Sequence, residues 1–395
     1  MAEVTDIELL RKRRRRKIFL HRLLKSMLFI LVIMILAVGV FCFFRFDGTR
    51  WVEEQVAAFT SGSGYPLEFA GDTLVDIQPV GKNVALLTDT SFYLYNRSAS
   101  QMTNLQHNYH TPVMDVEGNT ILLYDRGAKK LTVYNKSREL YSKEFDYPII
   151  SASLSDRGAL LVITETQRYI AEVTVFDKLG GQLFKWYSSQ NYVMGADFFS
   201  GGDSFGVMAL NGVEGDISST VSFFSVHKSE EEALFASHDY TGSLLVDLHS
   251  KSGGGMTAVF TDRVVTYDKA GQETGSYRLG SQTLSAYNNE PSSYTLLFLG
   301  DYASLKSNDL LVLDRQAQQV CSIQLSQQVQ QVEADDSKIY CIGEETVWVY
   351  DYTGALLGET QVNAEILQAR LIGGKLYAVT ISDVRVLELN ITASK

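Results

Sequence analysis

Proline is scarce in this chain, with five residues in 395: Pro66, Pro79, Pro112, Pro148 and Pro291. A proline-rich spacer is thereby excluded, and few hydrogen-bonded ladders are interrupted. Cysteine is scarcer, with three residues, too few for a disulfide framework. Cys42 lies in an apolar segment, which leaves Cys321 and Cys341. These two could pair outside a cell, but they fall on strands assigned to neighbouring repeats, so two buried free thiols are expected. Positive charge is missing from most of the chain. From Trp51 onward there are 24 Lys+Arg against 42 Asp+Glu, a net of −18. Such a domain repels phosphate backbones, so no nucleic-acid partner is expected.

Catalytic signatures are also absent. There is no Gly-x-Ser-x-Gly elbow, and Gly253-Gly254-Gly255 lacks the Gly-Lys-Ser/Thr of a phosphate loop. Asp335-Asp336 and Gly201-Gly202-Asp203 read as tight turns, because the alternating oxygen ligands of a calcium loop are missing. His107 and His110 form a His-x-x-His, but in a loop between repeats with no acidic partner nearby. His227, His238 and His249 flank the acidic run Glu230-Glu231-Glu232, where a solvated loop is the default reading. Asn96-Arg-Ser98, Asn135-Lys-Ser137 and Asn390-Ile-Thr392 are sequons that matter only in a secretory eukaryotic setting. No catalytic, cofactor-binding or metal residue is assigned, no cofactor is expected, and an enzyme is the less favoured reading.

The N-terminus supplies what the rest lacks. Up to Arg50 there are 11 Lys+Arg against 4 Asp+Glu, with the basic run Arg11 to Lys17 at its centre. Met27 to Phe44 then runs eighteen residues without a charge, the short end of a bilayer-crossing helix. Positive residues beside a span stay on the cytoplasmic side. The expectation is a basic cytoplasmic tail over 1–26, a transmembrane helix over 27–45 in contact with the lipid bilayer, and an exported remainder. A cleaved signal peptide would end in small residues, whereas Phe41-Cys42-Phe43-Phe44 offers no such site. Residues 46–65 form a juxtamembrane segment, with a short helix over Thr49–Phe59 and a flexible Ser61-Gly62-Ser63-Gly64 linker.

From Pro66 the pattern changes to short runs rich in Val, Ile, Leu, Tyr and Phe, separated by turn residues, which is a strand signature. These runs repeat. Eight strands end at Tyr95-Asn96, Tyr134-Asn135, Phe176-Asp177, Phe224-Ser225, Tyr267-Asp268, Leu313-Asp314, Tyr350-Asp351 and Leu387-Glu388, with spacings of 37 to 48 residues. Each follows another strand, from VALLT at Val84 to KLYAVT at Lys375. Asp177-Lys-Leu-Gly180, Asp268-Lys-Ala-Gly271 and Asp351-Tyr-Thr-Gly354 place Asp first and Gly fourth in a turn, which suits both residues. A further strand follows each turn, giving four-stranded blades. The expected fold is an all-β propeller over 66–395. Eight blades are counted; seven stays open because insertions blur the units near Gly201–Gly215 and Gly300–Ser307. A β-sandwich array is the alternative. Few residues remain after Leu389 for a last outer strand, so Leu67-Glu68-Phe69 is expected to supply it and close the ring.

Val173-Thr-Val-Phe-Asp177-Lys-Leu-Gly-Gly-Gln-Leu-Phe-Lys-Trp186 resembles a quinoprotein-type propeller blade, with Trp186 at the docking position. Tyr350 to Gly354 and Tyr267 to Gly271 resemble the same corner without the tryptophan. The whole layout resembles an uncharacterised family of membrane-anchored propellers from Gram-positive bacteria. With three tryptophans in all, the cofactor of quinone-dependent dehydrogenases is not implied. The closer analogy is to non-catalytic relatives that act as envelope scaffolds, which implies an envelope protein partner. An enzyme or ligand sensor using the central channel is the alternative. A deep polar axial pocket would favour that alternative; a plugged channel with an exposed apolar patch on one face would favour the scaffold.

Overall fold

The computed structural model describes residues 25–31, 34, 61–68 and 72–391, apart from 214, 292, 302–303 and 326–327. Most of the expected tail, the span beyond its first residues, and the expected helix over Thr49–Phe59 lie outside the described residues. Residues 25–31 are helical and exposed. Among the described residues no helix is long and apolar enough to cross a membrane.

Residues 61–395 form one compact unit of strands. A two-residue strand β1 (Leu67–Glu68) opens it. Blade one is β2 (Leu74–Val80), β3 (Asn83–Thr88), β4 (Ser91–Tyr95) and β5 (Gln101–Gln106); blade two is β6 (Pro112–Glu117), β7 (Thr120–Asp125), β8 (Lys130–Asn135) and β9 (Arg138–Glu144). Blade three is β10 (Ile149–Leu154), β11 (Leu160–Thr164), β12 (Ala171–Phe176) and β13 (Gln182–Ser188). Blade four is β14 (Tyr192–Phe198), β15 (Ser204–Val213), β16 (Asp216–Ser225) and β17 (Leu234–Thr241). Blade five is β18 (Leu245–Ser250), β19 (Met256–Phe260), β20 (Arg263–Tyr267) and β21 (Glu273–Arg278). Blade six is β22 (Thr283–Asn288), β23 (Tyr294–Asp301), β24 (Ser304–Asp314) and β25 (Gln319–Leu325). Blade seven is β26 (Gln331–Ala334), β27 (Lys338–Ile342), β28 (Thr346–Asp351) and β29 (Leu356–Gln361), and blade eight has β30 (Gln368–Ile372), β31 (Lys375–Val379) and β32 (Asp383–Val386).

Each blade is an antiparallel meander in chain order, and β1 completes the eighth as its outer strand. Leu67 faces Val384 and Glu68 faces Asp383. The fold is therefore an eight-bladed β-propeller closed by its N-terminal strand. The repeat count of eight holds, and the blurred units have a simple cause. Blades four and six carry long hairpins, β15–β16 and β23–β24, whose extra residues extend the strands without adding a blade.

The core sits between blades. Eight apolar clusters fill the eight blade-to-blade interfaces. One joins blades three and four through Leu161, Val173, Phe184, Phe205 and Phe224, and another joins blades eight and one through Tyr377, Val384, Ile77 and Leu86. Trp186 packs its ring 4.8 Å from Phe224, so it does dock one blade onto the next. Cys341 is buried and Cys321 half-buried in the cluster between blades six and seven, both as free thiols.

Five of the third-to-outer-strand corners use one device. Asp268 Oδ1 accepts from the backbone N–H of Ala270 and Gln272, both at 2.9 Å, and Gly271 closes the turn at φ +71°. Asp177 and Asp351 repeat it. Asp314 and Asn96 repeat it too, with Ala317 and Ala99 in the left-handed region at φ +54° and +62° where glycine would be expected. Asn96, buried in its corner, is committed to backbone N–H groups, so its sequon serves the turn.

Leu67→Asp would set a charge among Ile77, Val84 and Tyr377 at the closure. The expected loss is about 2 kcal/mol in urea unfolding, with faster proteolysis near β32.

Candidate functional site along the propeller axis

The innermost strands β2, β6, β10, β14, β18, β22, β26 and β30 surround the axis. Their ladders with the second strands define one equivalent position per blade. It is occupied by Gln78, Asp115, Ser153, Asp197, His249, Asn288, Glu333 and Arg370. All eight are polar, and in seven of the strands the residue before is buried and apolar: Ile77, Met114, Ala152, Ala196, Leu248, Val332 and Ala369; in blade six it is the exposed Tyr287.

Six of these residues link their blade directly to its successor. Gln78 Nε2 donates to Met114 O at 3.1 Å. Asp115 Oδ2 accepts from Leu154 N at 2.7 Å, and Ser153 Oγ donates to Ala196 O at 3.0 Å. Asp197 Oδ2 accepts from Ser250 N at 3.2 Å, and Asn288 Nδ2 donates to Val332 O at 2.9 Å. Glu333 Oε2 accepts from Leu371 N, and Gln368 Nε2 donates to Asp76 Oδ1, each at 3.3 Å. Carboxylates take amides and neutral groups give to carbonyls, as their chemistry requires. Between blades five and six the link is made otherwise. Asn289 Nδ2 donates to Asp247 Oδ2 at 2.9 Å, and the buried Lys251 ammonium donates to the carbonyls of Asn289, Pro291 (3.0 Å) and Tyr294 (2.9 Å).

Inside this ring lies a cavity of about 510 Å³, lined by Asp115, Glu117, Asp247, His249, Glu333 and Arg370 among others. A second hollow of about 320 Å³ shares Glu117, His249 and Glu290 with it and is also lined by Ser155, Asp156, Ser200 and Ser252. The latter residues lie in the turns between inner and second strands, so this hollow belongs to that face of the ring.

The electrostatics are those of crowded, desolvated carboxylates. Burial pushes Asp115 up to about 7, helped by the charges of Asp197 and Glu117 and opposed by the Leu154 amide. Burial likewise raises Asp247 against its Asn289 bond, Asp76 against Gln78 and Gln368, and Glu333 against Arg370. Partial burial beside Asp156 and Asp197 raises Glu117. Burial alone would discharge His249, but Asp197 Oδ2, 3.2 Å from Nδ1, and Asp247 hold its pKa above the ordinary value. Burial also works against the charge on Arg370, yet Glu290 and Glu333 outweigh it. Lys251 is drawn down to about 7 by burial.

The residues weighed from sequence disperse. His107 Nε2 lies 3.1 Å from Thr88 O and its ring stacks on Tyr109, while His110 offers its backbone N–H to Asp125. His227 pairs with Asp203, and His238 bonds Gly271 O from β17. Glu230, Glu231 and Glu232 begin an exposed one-turn helix. Only His249 reaches the axis. No group of three or more metal-capable side chains occurs among the described residues. The axial residues were not singled out from sequence, although a signal exists. In every blade a polar residue lies seven to nine positions before its partner on the second strand, as Asp115 does before Leu122 and Asp197 before Gly206.

An eight-bladed ring with a polar axial well defines the chain as a β-propeller. Within that class it belongs to DUF5711, a family of unknown function that it matches over residues 58–389. No curated protein matches the chain. Among solved structures, the C-terminal WD40 domain of Sif2 superimposes with a TM-score of 0.59 at 12% identity, covering 83% of this chain and 100% of that one. Sqt1 from Chaetomium thermophilum gives 0.56 at 12%, covering 83% and 98%. BamB from Moraxella catarrhalis gives 0.50 at 10%, covering 84% and 99%. These likenesses show the fold alone.

Two expectations follow. Asp115 binds its proton more tightly in the folded chain, so stability falls as pH rises from about 4 to about 7. Asn can still accept the Leu154 amide, so Asp115→Asn should be more stable by about 2 kcal/mol at pH 8, an advantage that fades toward pH 4 in parallel urea titrations. Lys251→Met strands three carbonyls and should lower stability at pH 6 by about 3 kcal/mol.

Proposed function

We propose that this propeller is a protein-binding scaffold, tethered by the 27–45 span to the outer side of the cytoplasmic membrane of a Gram-positive cell. The observation that carries the binding role is an exposed apolar set at one end of blades three and four. Tyr169, Tyr192, Met194 and Ile217 are 45%, 66%, 46% and 49% exposed, and Tyr169 stacks on Tyr187 at 4.7 Å. They lie on or beside the loops that join second to third strands and blade to blade, which emerge on one face of the ring. Aromatic and Met side chains held on a rigid frame are the usual anchors of protein interfaces. The tether is supported by the basic run, the uncharged eighteen residues and the sign of the flanking charge. A β-propeller is commonly an interaction module, which agrees with this reading.

A second reading, ligand sensing through the axis, is favoured by the polar cavity between the inner strands.

In-cell crosslinking in the native host, followed by purification through a C-terminal tag, tests the scaffold. One or two stoichiometric envelope proteins should be recovered, and Tyr169→Ser with Tyr192→Ser should cut recovery about fivefold or more. Recovery of no partner, or recovery indifferent to the two tyrosines, would remove this reading.

A further inference from the structure

Charge is unevenly placed on the propeller. Past Trp51 the chain has a net of −18, yet one arc of the ring is positive. The turns between inner and second strands and the corners between third and outer strands share one face. On that face blades eight, one and two present Lys375, Lys82, Arg97, Lys136 and Arg138, all exposed or half-exposed. The carboxylates beside them in the same turns and strand ends are Glu139 and Glu388, while Glu117 opens into the axial hollow. None of the five cations forms an ion pair with a described residue.

The corner sequences show how this balance arises. Blades three, five and six set Asp before the cation, in Asp177-Lys178, Asp268-Lys269 and Asp314-Arg315, so each pair is neutral. Blades one and two set Asn there, in Asn96-Arg97 and Asn135-Lys136. Asn96 Oδ1 accepts the corner amides of Ser98 and Ser100, at 3.0 and 2.9 Å, without bringing a counter-charge.

The chain enters the propeller in the middle of this arc. Gly62 N donates to Ser98 Oγ at 3.2 Å, Gly64 N to Ser98 O at 3.1 Å, and Tyr65 Oη to Asn96 O at 3.3 Å. Residues 62–65 therefore lie along the blade-one corner, with blade eight packed on one side of that blade and blade two on the other. Leu140 and Leu179, 42% and 80% exposed, stand beside the arc on blades two and three. Five cations spread over three blades match an extended anionic surface better than a small anion. Lys and Arg beside an anionic leaflet are drawn to its headgroups within a screening length of about 8 Å. At longer range the net charge of the domain repels the same surface, so the attraction needs a tether that holds the arc close.

We propose that this arc seats the propeller on the anionic headgroups of the bilayer in which the chain is anchored. The inference rests on the tether of the reading above and adds the face that meets the lipid. It needs neither the axial cavity nor the apolar set on blades three and four. That set emerges on the opposite face and is turned away from the bilayer.

The test places the full-length protein in nanodiscs of phosphatidylglycerol or of phosphatidylcholine and follows lysine acetylation by a water-soluble active ester, read by mass spectrometry. Lys82, Lys136 and Lys375 should react about fivefold more slowly in the anionic discs than in the neutral ones. Lys129 and Lys130, exposed on the other face of blade two, should react alike in both. Salt at about 1 M, where the screening length falls to about 3 Å, should abolish the difference. Lys82→Glu with Lys375→Glu should return Lys136 to its rate in neutral discs. Equal rates for the arc lysines in the two lipids overturn the proposal, as does equal protection of Lys129 and Lys130. Protection of Lys136 that survives both substitutions overturns it too. Protection already present in detergent points to a protein contact instead and has the same effect. Each of these results leaves the tether standing. Release of the chain from neutral discs by alkaline carbonate removes the tether, and this inference with it.

Discussion

A four-stranded blade has two faces and cannot bury either alone, so each depends on the neighbour it leans against. Leu161, Val173 and Phe205 are fully buried only because blades three and four share them. The same holds at all eight interfaces, so no blade is dispensable and the set must come round to its own beginning. The closing contact joins the two ends of the sequence. Ile77 and Leu86 of the first blade complete the apolar layer of the eighth beside Tyr377 and Val384. The two-residue strand β1 adds little area to that interface, but it covers the backbone edge of β32 that would otherwise remain open.

Apolar packing sets the spacing of the blades; polar contacts near the axis fix their order. Around the ring, one residue of each inner strand, or a close neighbour, holds a backbone group of the next blade, except that Gln368 of blade eight holds the Asp76 carboxylate of blade one. Mutual repulsion arises in this region, since Asp197 acts on both Asp115 and Asp247, and Glu290 on Glu333, through the geometry that makes them useful as linkers. Raised proton affinity there and a lowered one at Lys251 both follow from removing charge from water. Neither implies a reaction. They mark where the molecule tolerates stress, and such places are where proteins tend to meet their ligands.

Strand order and blade number were legible because the second and third strands are buried on both faces and read as apolar runs such as Val84 to Thr88 and Lys338 to Ile342. The Asp-x-x-Gly corners were legible for the same local reason. Asp314-Arg-Gln-Ala317 makes an identical corner, yet its alanine at φ +54° hides it from a search for glycine. The axial ring was hidden by two effects. Inner strands carry bulges, as between Leu74 and Asp76 or Leu245 and Asp247, which break the period-two pattern. In addition, convergence of eight side chains is a property of the closed ring and of no single repeat. His107 and His110 are close in sequence but are held by different partners, Thr88 and Asp125.

Closure by β1 also has a consequence for the order of events during synthesis. The first strand of the propeller pairs with Val384 in its last, so the ring cannot be sealed until β32 has emerged. Blades two to seven can assemble side by side as they appear, whereas Leu67 must wait beside the start of blade one for the blade it completes. A chain halted before β32 would present the unpaired edge of β31 and the open apolar face of blade one together. Synthesis of β32 and completion of the circle are a single step, and a product truncated before it would be recognisable by both defects at once.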